Sequence, residues 1–240
     1  MAMIGDNLQA VMSRIAAAVA EAGRAPGSVH LLAVSKTHPP ARVAEAEVDG
    51  QRAFGENYVQ EALEKMDALT QLLGESRARE LEWHLIGPVQ SNKSRAAAEH
   101  FDWVQSVDRE KIARRLSQQR PEHLAPLNVL IEVNLSGESS KSGVAAQDAA
   151  ALARAVAALP RLRLRGLMAI PAPSRDQTVQ RARFRAVREL YERLSAQGLE
   201  LDTLSMGMSD DMEAAIAEGA TMVRIGSAIF GVREKVKSAA

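Results

Sequence analysis

Short apolar runs and longer stretches of helical periodicity replace one another along the chain, and this alternation constrains the fold more than any other feature. It is the pattern of strands and helices wound around a parallel sheet. Strand-like runs, mostly bounded by turn residues, fall at 29–34, 51–54, 81–86, 102–107, 128–134, 164–170, 201–206 and 222–225. Helical stretches fall at 40–48, 57–73, 92–99, 109–119, 145–158, 178–197 and 210–218, and one more, 7–22, precedes the first strand. About eight strands in 240 residues predict an α/β fold of the (β/α)8 TIM-barrel type, a single domain over 1–240 with an extra N-terminal helix. A doubly wound open sheet is the alternative. In a barrel, polar side chains at the C-terminal strand ends converge on the face where such folds keep their chemistry.

Charge and composition remove several function classes. Lys plus Arg number 30 and Asp plus Glu also 30, so no overall positive field is available to hold nucleic acid or an anionic membrane. The absence of cysteine excludes disulfides, thiolate zinc sites, iron–sulfur clusters and cysteine nucleophiles, and fits a reducing compartment. Residues 1–21 lack the layout of a secretory signal, and no apolar run is long enough to span a bilayer, so a soluble cytoplasmic protein is expected. Lys111, Arg114 and Arg115, and Arg181, Arg183, Arg185 and Arg188 beside Glu189 and Glu192, sit in helical stretches and read as solvated faces. The histidines show no metal-ligand spacing, and no Walker loop, dinucleotide fingerprint or nucleophile elbow is present.

The first strand ends Ala33-Val34-Ser35-Lys36-Thr37, which places a lysine at the top of the barrel. Burial there disfavours the ammonium and leaves a neutral amine able to attack a carbonyl; a lysine that snorkels to solvent is the structural alternative. The last strand leads into Arg224-Ile225-Gly226-Ser227, a turn whose glycine, hydroxyl and N–H groups suit a phosphate. The preceding strand leads into Leu204-Ser205-Met206-Gly207-Met208-Ser209, a second such loop, although Ser209 also reads as the N-cap of 210–218. Arg224, if it faces inward, needs an anion or a hydrogen-bond acceptor. Asn57 is a candidate for the site or a helix N-cap, and His84 a ligand neighbour or a hydrogen-bonded core histidine. The polar loop 136–143 carries Lys141 and reads as a mobile surface loop.

Taken in order, Ala33-Val34-Ser35-Lys36-Thr37, Phe54-Gly55-Glu56-Asn57-Tyr58, Trp83-His84-Leu85-Ile86-Gly87, Ser139-Ser140-Lys141-Ser142-Gly143, Gly166-Leu167-Met168-Ala169-Ile170-Pro171, Leu204-Ser205-Met206-Gly207-Met208-Ser209-Asp210-Asp211 and Arg224-Ile225-Gly226 resemble the pyridoxal 5′-phosphate (PLP) homeostasis protein family over 29–231. The resemblance implies a barrel related to the alanine racemase N-terminal domain. It implies that Lys36 forms the internal aldimine, that Ser209, Gly226 and Ser227 hold the phosphate, that Arg224 faces the pyridine nitrogen, and that Asn57, His84 and Met206 line the cofactor. It further implies an intracellular carrier or buffer acting in vitamin B6 homeostasis and amino-acid and keto-acid balance, with no efficient catalysis. A cationic arginine beside the ring nitrogen disfavours its protonation and leaves a poor electron sink. The opposing tyrosine that alanine racemase takes from a second domain has no evident counterpart, the tyrosines here being Tyr58 and Tyr191. PLP, related B6 vitamers and PLP-dependent apoenzymes are the implied partners, and a monomer the implied state. The family commonly carries lysine where this chain has His38, which leaves Lys141 as the nearer candidate for a transfer lysine. A fold-type III amino-acid racemase and a Schiff-base aldolase without PLP are the competing expectations.

Overall fold

Strands whose residues are apolar on both faces cannot sit at a solvated sheet surface, and here they form the wall of a barrel. The structure is a computed structural model describing residues 3–135 and 142–231. Its first elements are α1 (Ile4–Glu21), β1 (His30–Val34), α2 (Pro40–Val48), β2 (Ala53–Glu56), α3 (Val59–Leu73), α4 (Glu75–Ala78), β3 (Glu82–Leu85), α5 (Ser94–His100), β4 (Trp103–Val107) and α6 (Glu110–Gln119). There follow β5 (Leu127–Asn134), β6 (Val144–Ala145), α7 (Ala149–Ala157), β7 (Leu162–Ala169), α8 (Gln177–Ala196), β8 (Thr203–Ser205), α9 (Met212–Ala217), β9 (Met222–Ile225) and α10 (Ser227–Phe230). All strand pairs are parallel; β1 pairs with both β2 and β9, and β4 with β5, so the sheet closes on itself and the open-sheet alternative falls. The expected (β/α)8 barrel is the fold.

Alternation along the strands divides the core in two. Outward residues such as Phe54, Leu85, Val104 and Leu204 join the apolar stripes of the helices, while Trp103, Leu130 and Met168 form a separate cluster inside the barrel. The extra helix α1 buries Leu8, Val11, Ile15 and Val19, at helical spacing, and packs on α9 and α10. Polar contacts lock it there: Asn7 Nδ2 donates to Ile229 O (2.9 Å), and Arg24 donates to Ile216 O and Ala220 O.

Differences from the expected boundaries have local causes. The second strand runs 53–56 rather than 51–54, because the buried Glu56 is carried by Lys65 while the Gln51 side chain donates to Leu31 O and Ala53 O below the ladder. The helix expected from 145 begins at Ala149, since Val144 and Ala145 first pair with the end of β5. Gly143 makes that approach possible: its φ is +107°, and a Cβ there would lie 2.9 Å from Asn134 N. Three of the arginines read as a solvated face do more than that. Arg181, Arg185 and Arg188 of α8 converge on Glu218, which is 1% exposed beyond α9. Burial alone would raise that carboxyl, but Arg185 and Arg181 together hold it below its ordinary range. Glu218→Ala is expected to cost about 1–2 kcal/mol, the half-exposed arginines recovering part of their loss from water; denaturant unfolding measures it, and an unchanged midpoint would show that the cluster contributes nothing.

Candidate functional site

At the end of β1 the chain turns sharply. Val34 pairs with Gly55, the Ser35 N–H donates to Gly55 O (3.0 Å), and the His38 N–H returns to Ser35 O (3.1 Å). Lys36 and Thr37 form the turn between, Thr37 in the left-handed region at φ 66°, and Lys36 is half-buried. The neighbouring strand brings a second loop to the same place. Ala33 pairs with Ile225, and the next residue, Gly226, passes so close that a Cβ on it would lie 3.2 Å from Val34 O. The His38 ring packs on Phe230 of α10 with centroids 5.1 Å apart. The lysine turn and the Gly226-Ser227 turn therefore share one rim.

Ser209 reaches that rim from the β8–α9 loop, its Oγ lying 3.4 Å from Ser227 Oγ. It is not the helix N-cap: α9 starts two residues later than expected, with Asp211 as its N-cap. Asp211 Oδ1 instead accepts from the Met208 N–H (2.6 Å), which leaves the Ser209 hydroxyl aimed across the loop. Arg14 of α1 braces this loop from behind, donating to Ser209 O (3.1 Å) and to Glu213. Two hydroxyls beside a helix's first N–H groups are a donor set for a tetrahedral anion.

Arg224 faces the barrel interior and is 4% exposed. The acceptors it needs are Ser205 Oγ (2.8 Å) and Ala169 O (3.0 Å). Burial pushes its guanidinium down to about 10, against the opposing pull of Asp211 and Glu132. Ser205 passes the contact on by donating to Gln105 Oε1, and Gln105 Nε2 donates to His84 Nδ1 (2.8 Å). His84 Nε2 then meets Glu82 Oε1 (2.7 Å), and the ring stacks on Trp103. His84 thus has the partners of a core histidine, at the far end of a polar chain that begins at Arg224. Asn57 lies half-buried just beyond β2; Tyr58, not Asn57, is the N-cap of α3. Met206 is fully buried within the outer core cluster. Lys141 lies outside the described residues.

A family model described as the alanine racemase N-terminal domain matches residues 7–234. The chain is 58% identical over 234 residues to the pyridoxal phosphate homeostasis protein of Pseudomonas aeruginosa, covering 98% of this chain and 97% of that one. It belongs to the pyridoxal phosphate homeostasis protein family. The Escherichia coli K12 member is 54% identical, with 98% of each chain covered. Among solved structures, PipY of Synechococcus elongatus with PLP bound superposes with a TM-score of 0.77 at 40% identity, covering 90% of this chain and all (100%) of that one. Alanine racemase from Corynebacterium glutamicum shares the fold at a TM-score of 0.70 and 21% identity, over 99% of this chain and 63% of that one.

Within this family frame, one group at the mouth was not anticipated from the sequence. Glu132, near the end of β5, is 7% exposed and borders a cavity of about 290 Å³ with Asn134, Ser142, Ile170 and Arg183. Its carboxyl is pushed up to about 7 by burial and by Asp108, Arg224 opposing. The signal was present as a lone carboxylate in the apolar run Val129-Leu130-Ile131-Glu132-Val133. A raised carboxyl makes the folded state hold a proton that the unfolded chain releases. Below pH 4.5 Glu132 is protonated in both states; stability then falls as pH rises to about 7, and above that the loss is complete. The loss reaches at most about 3–4 kcal/mol at roughly 1.4 kcal/mol per pH unit. Unfolding of the wild type and Glu132→Gln, followed between about pH 5 and 8, should show the wild type losing ground to the variant; parallel curves would refute the assignment.

Proposed function

We propose that this chain binds PLP through Lys36 and serves as an intracellular carrier and buffer of that aldehyde, in B6 homeostasis and amino-acid and keto-acid balance. One observation carries the reading: Gly226 pressed against Val34 sets an amine-bearing turn beside a pair of serine hydroxyls. The donor set fits PLP. Ser209, Ser227 and the backbone at Gly226 would hold the phosphate, Lys36 would meet the aldehyde, and Arg224 would face the ring nitrogen. Asn57 and His84 complete the assignment, His84 acting through Gln105 and Ser205 on Arg224, while Met206, buried in the outer cluster, would back the loop that carries Ser209. The names of the relatives and the PLP-bound PipY structure support it.

When bound, PLP supplies an electrophilic carbonyl conjugated to a ring that can accept electrons. Arg224, a cation held by Ser205 and Ala169, would keep the ring nitrogen unprotonated and so limit that electron sink. Storage without efficient turnover follows, with PLP-dependent apoenzymes as recipients and a monomer in the cytoplasm as the working form. Among the described residues, no helix is long and apolar enough to cross a membrane. Borohydride reduction of PLP-treated protein, followed by peptide mass mapping, should place the pyridoxyl group on Lys36. A label on another lysine overturns the assignment, and steady racemisation of an amino acid at ordinary enzymatic rates overturns the non-catalytic role.

A further inference from the structure

Behind the Lys36 turn lies a buried ionic cluster that the functional reading leaves unused. Lys65 of α3 is 3% exposed and Glu56 at the end of β2 is fully buried. Lys65 Nζ lies 2.5 Å from Glu56 Oε1 and 3.2 Å from Glu61 Oε1, and donates to Ser35 O (2.8 Å). Ser35 Oγ donates to the same Glu56 oxygen (2.6 Å), and the Thr37 N–H donates to Glu61 Oε1 (2.5 Å). Both residues that flank Lys36 are therefore tethered, one through its carbonyl and hydroxyl, the other through its amide. Glu56 Oε2 is left buried without a partner, and burial holds the Glu56 carboxyl above its ordinary range, Lys65 opposing.

This arrangement is expensive. Taking an ammonium and a carboxylate out of water costs several kcal/mol per ion, and a well-packed apolar pair of similar size often does as well for stability. Packing alone does not require it. Thr37 also sits at a positive φ, which costs a β-branched residue about 1–3 kcal/mol unless its surroundings hold it. The tethers to Ser35 and Thr37 are what hold it.

We infer that Lys65, Glu56 and Glu61 are positioning residues that clamp the Ser35–Thr37 backbone so that Lys36 is presented to the carbonyl it captures. The inference rests on the Lys36 reading above. Its consequence is specific: loosening the clamp should weaken PLP capture and free the turn while the barrel stays folded.

The test uses full-length protein and PLP itself. In the double variant Lys65→Met/Glu56→Gln the Ser35 hydroxyl keeps an acceptor, the buried charges are gone and the carbonyl tether is lost. Expected are a retained unfolding midpoint, PLP binding weakened about tenfold, and faster amide exchange at residues 35–38 in the PLP-free protein. A folded double variant with wild-type PLP affinity and wild-type exchange overturns the inference. If the double variant does not fold, Glu61→Ala decides, because Glu61 is part-exposed and its loss releases the Thr37 amide and one Lys65 contact while Lys65 keeps Glu56 and Ser35 O. Glu61→Ala should weaken binding and speed exchange, and Glu61→Gln, which keeps an acceptor oxygen, should restore both; no difference between the two overturns it. Should borohydride leave wild-type Lys36 unlabelled, the functional reading fails. The exchange measurement still judges the clamp.

Discussion

Lys36→Ala is expected to abolish the visible absorption band that PLP acquires on covalent attachment to this protein, with little change in unfolding midpoint. The side chain is half-buried in a turn at the barrel mouth, so its removal leaves the apolar core intact. What is lost is the bond. The proposed phosphate donors Ser209, Ser227 and Gly226 remain, so residual non-covalent PLP binding is expected about a hundredfold weaker, equivalent to roughly 3 kcal/mol. Lys36→Arg sharpens the test. It preserves a long cationic side chain, but a guanidinium stays protonated and does not condense with an aldehyde. Both variants should therefore lack the band, whereas a role for Lys36 as a mere counter-charge predicts that arginine rescues it. A band that survives in either folded variant moves the attachment to another lysine.

The sequence was most informative where function follows strand order. A barrel places consecutive parallel strand ends side by side, so a lysine after the first strand and a Gly-Ser turn after the last must be neighbours once the sheet closes; the Val34–Gly226 contact is that closure. Local rules were weaker. Ser209 and Asn57 both satisfy N-cap preferences, yet Asp211 and Tyr58 occupy those positions, a capping bond being worth only about 1 kcal/mol. The buried charges were harder still. Lys65 falls on the inward stripe of α3 with Ala62 and Leu69, where a lysine contradicts the periodicity and so signals a partner, but the partner, Glu56, lies on another element. Sequence spacing cannot pair such residues. The polar chain from Arg224 through Ser205 and Gln105 to His84 fails to be legible for the same reason, since it runs over four strands and its Ser205–Gln105 link crosses the barrel interior.

Gly166→Ala should be far more destabilising than Gly27→Ala. Gly166 of β7 has φ +152°, and a Cβ there would lie 1.8 Å from Thr203 O and 2.8 Å from Thr203 C. It pairs with Thr203 beside a break in the β5–β7 register, so a bulge already bends the strand at this point. No rotamer relieves a clash between a Cβ and a neighbouring backbone; one strand must move. Strain at that φ and overpacking each cost about 1–3 kcal/mol, for a combined loss of about 2–6 kcal/mol. A typical domain is stable by only about 5–15 kcal/mol, so partial loss of soluble protein is within range. Gly27→Ala is the control: its φ is +77° but nothing lies within 4 Å of the added carbon, and about 1 kcal/mol is expected. The two differ in φ and in whether backbone stands in the way. The displaced strand would be β8, which is three residues long and carries Ser205, the contact of both Arg224 and Gln105. Folded Gly166→Ala protein should therefore also bind PLP less tightly than the Gly27→Ala control. Equal unfolding midpoints for the two variants would show that β7 and β8 are not packed this closely, and would undo the placement of Arg224 along with it.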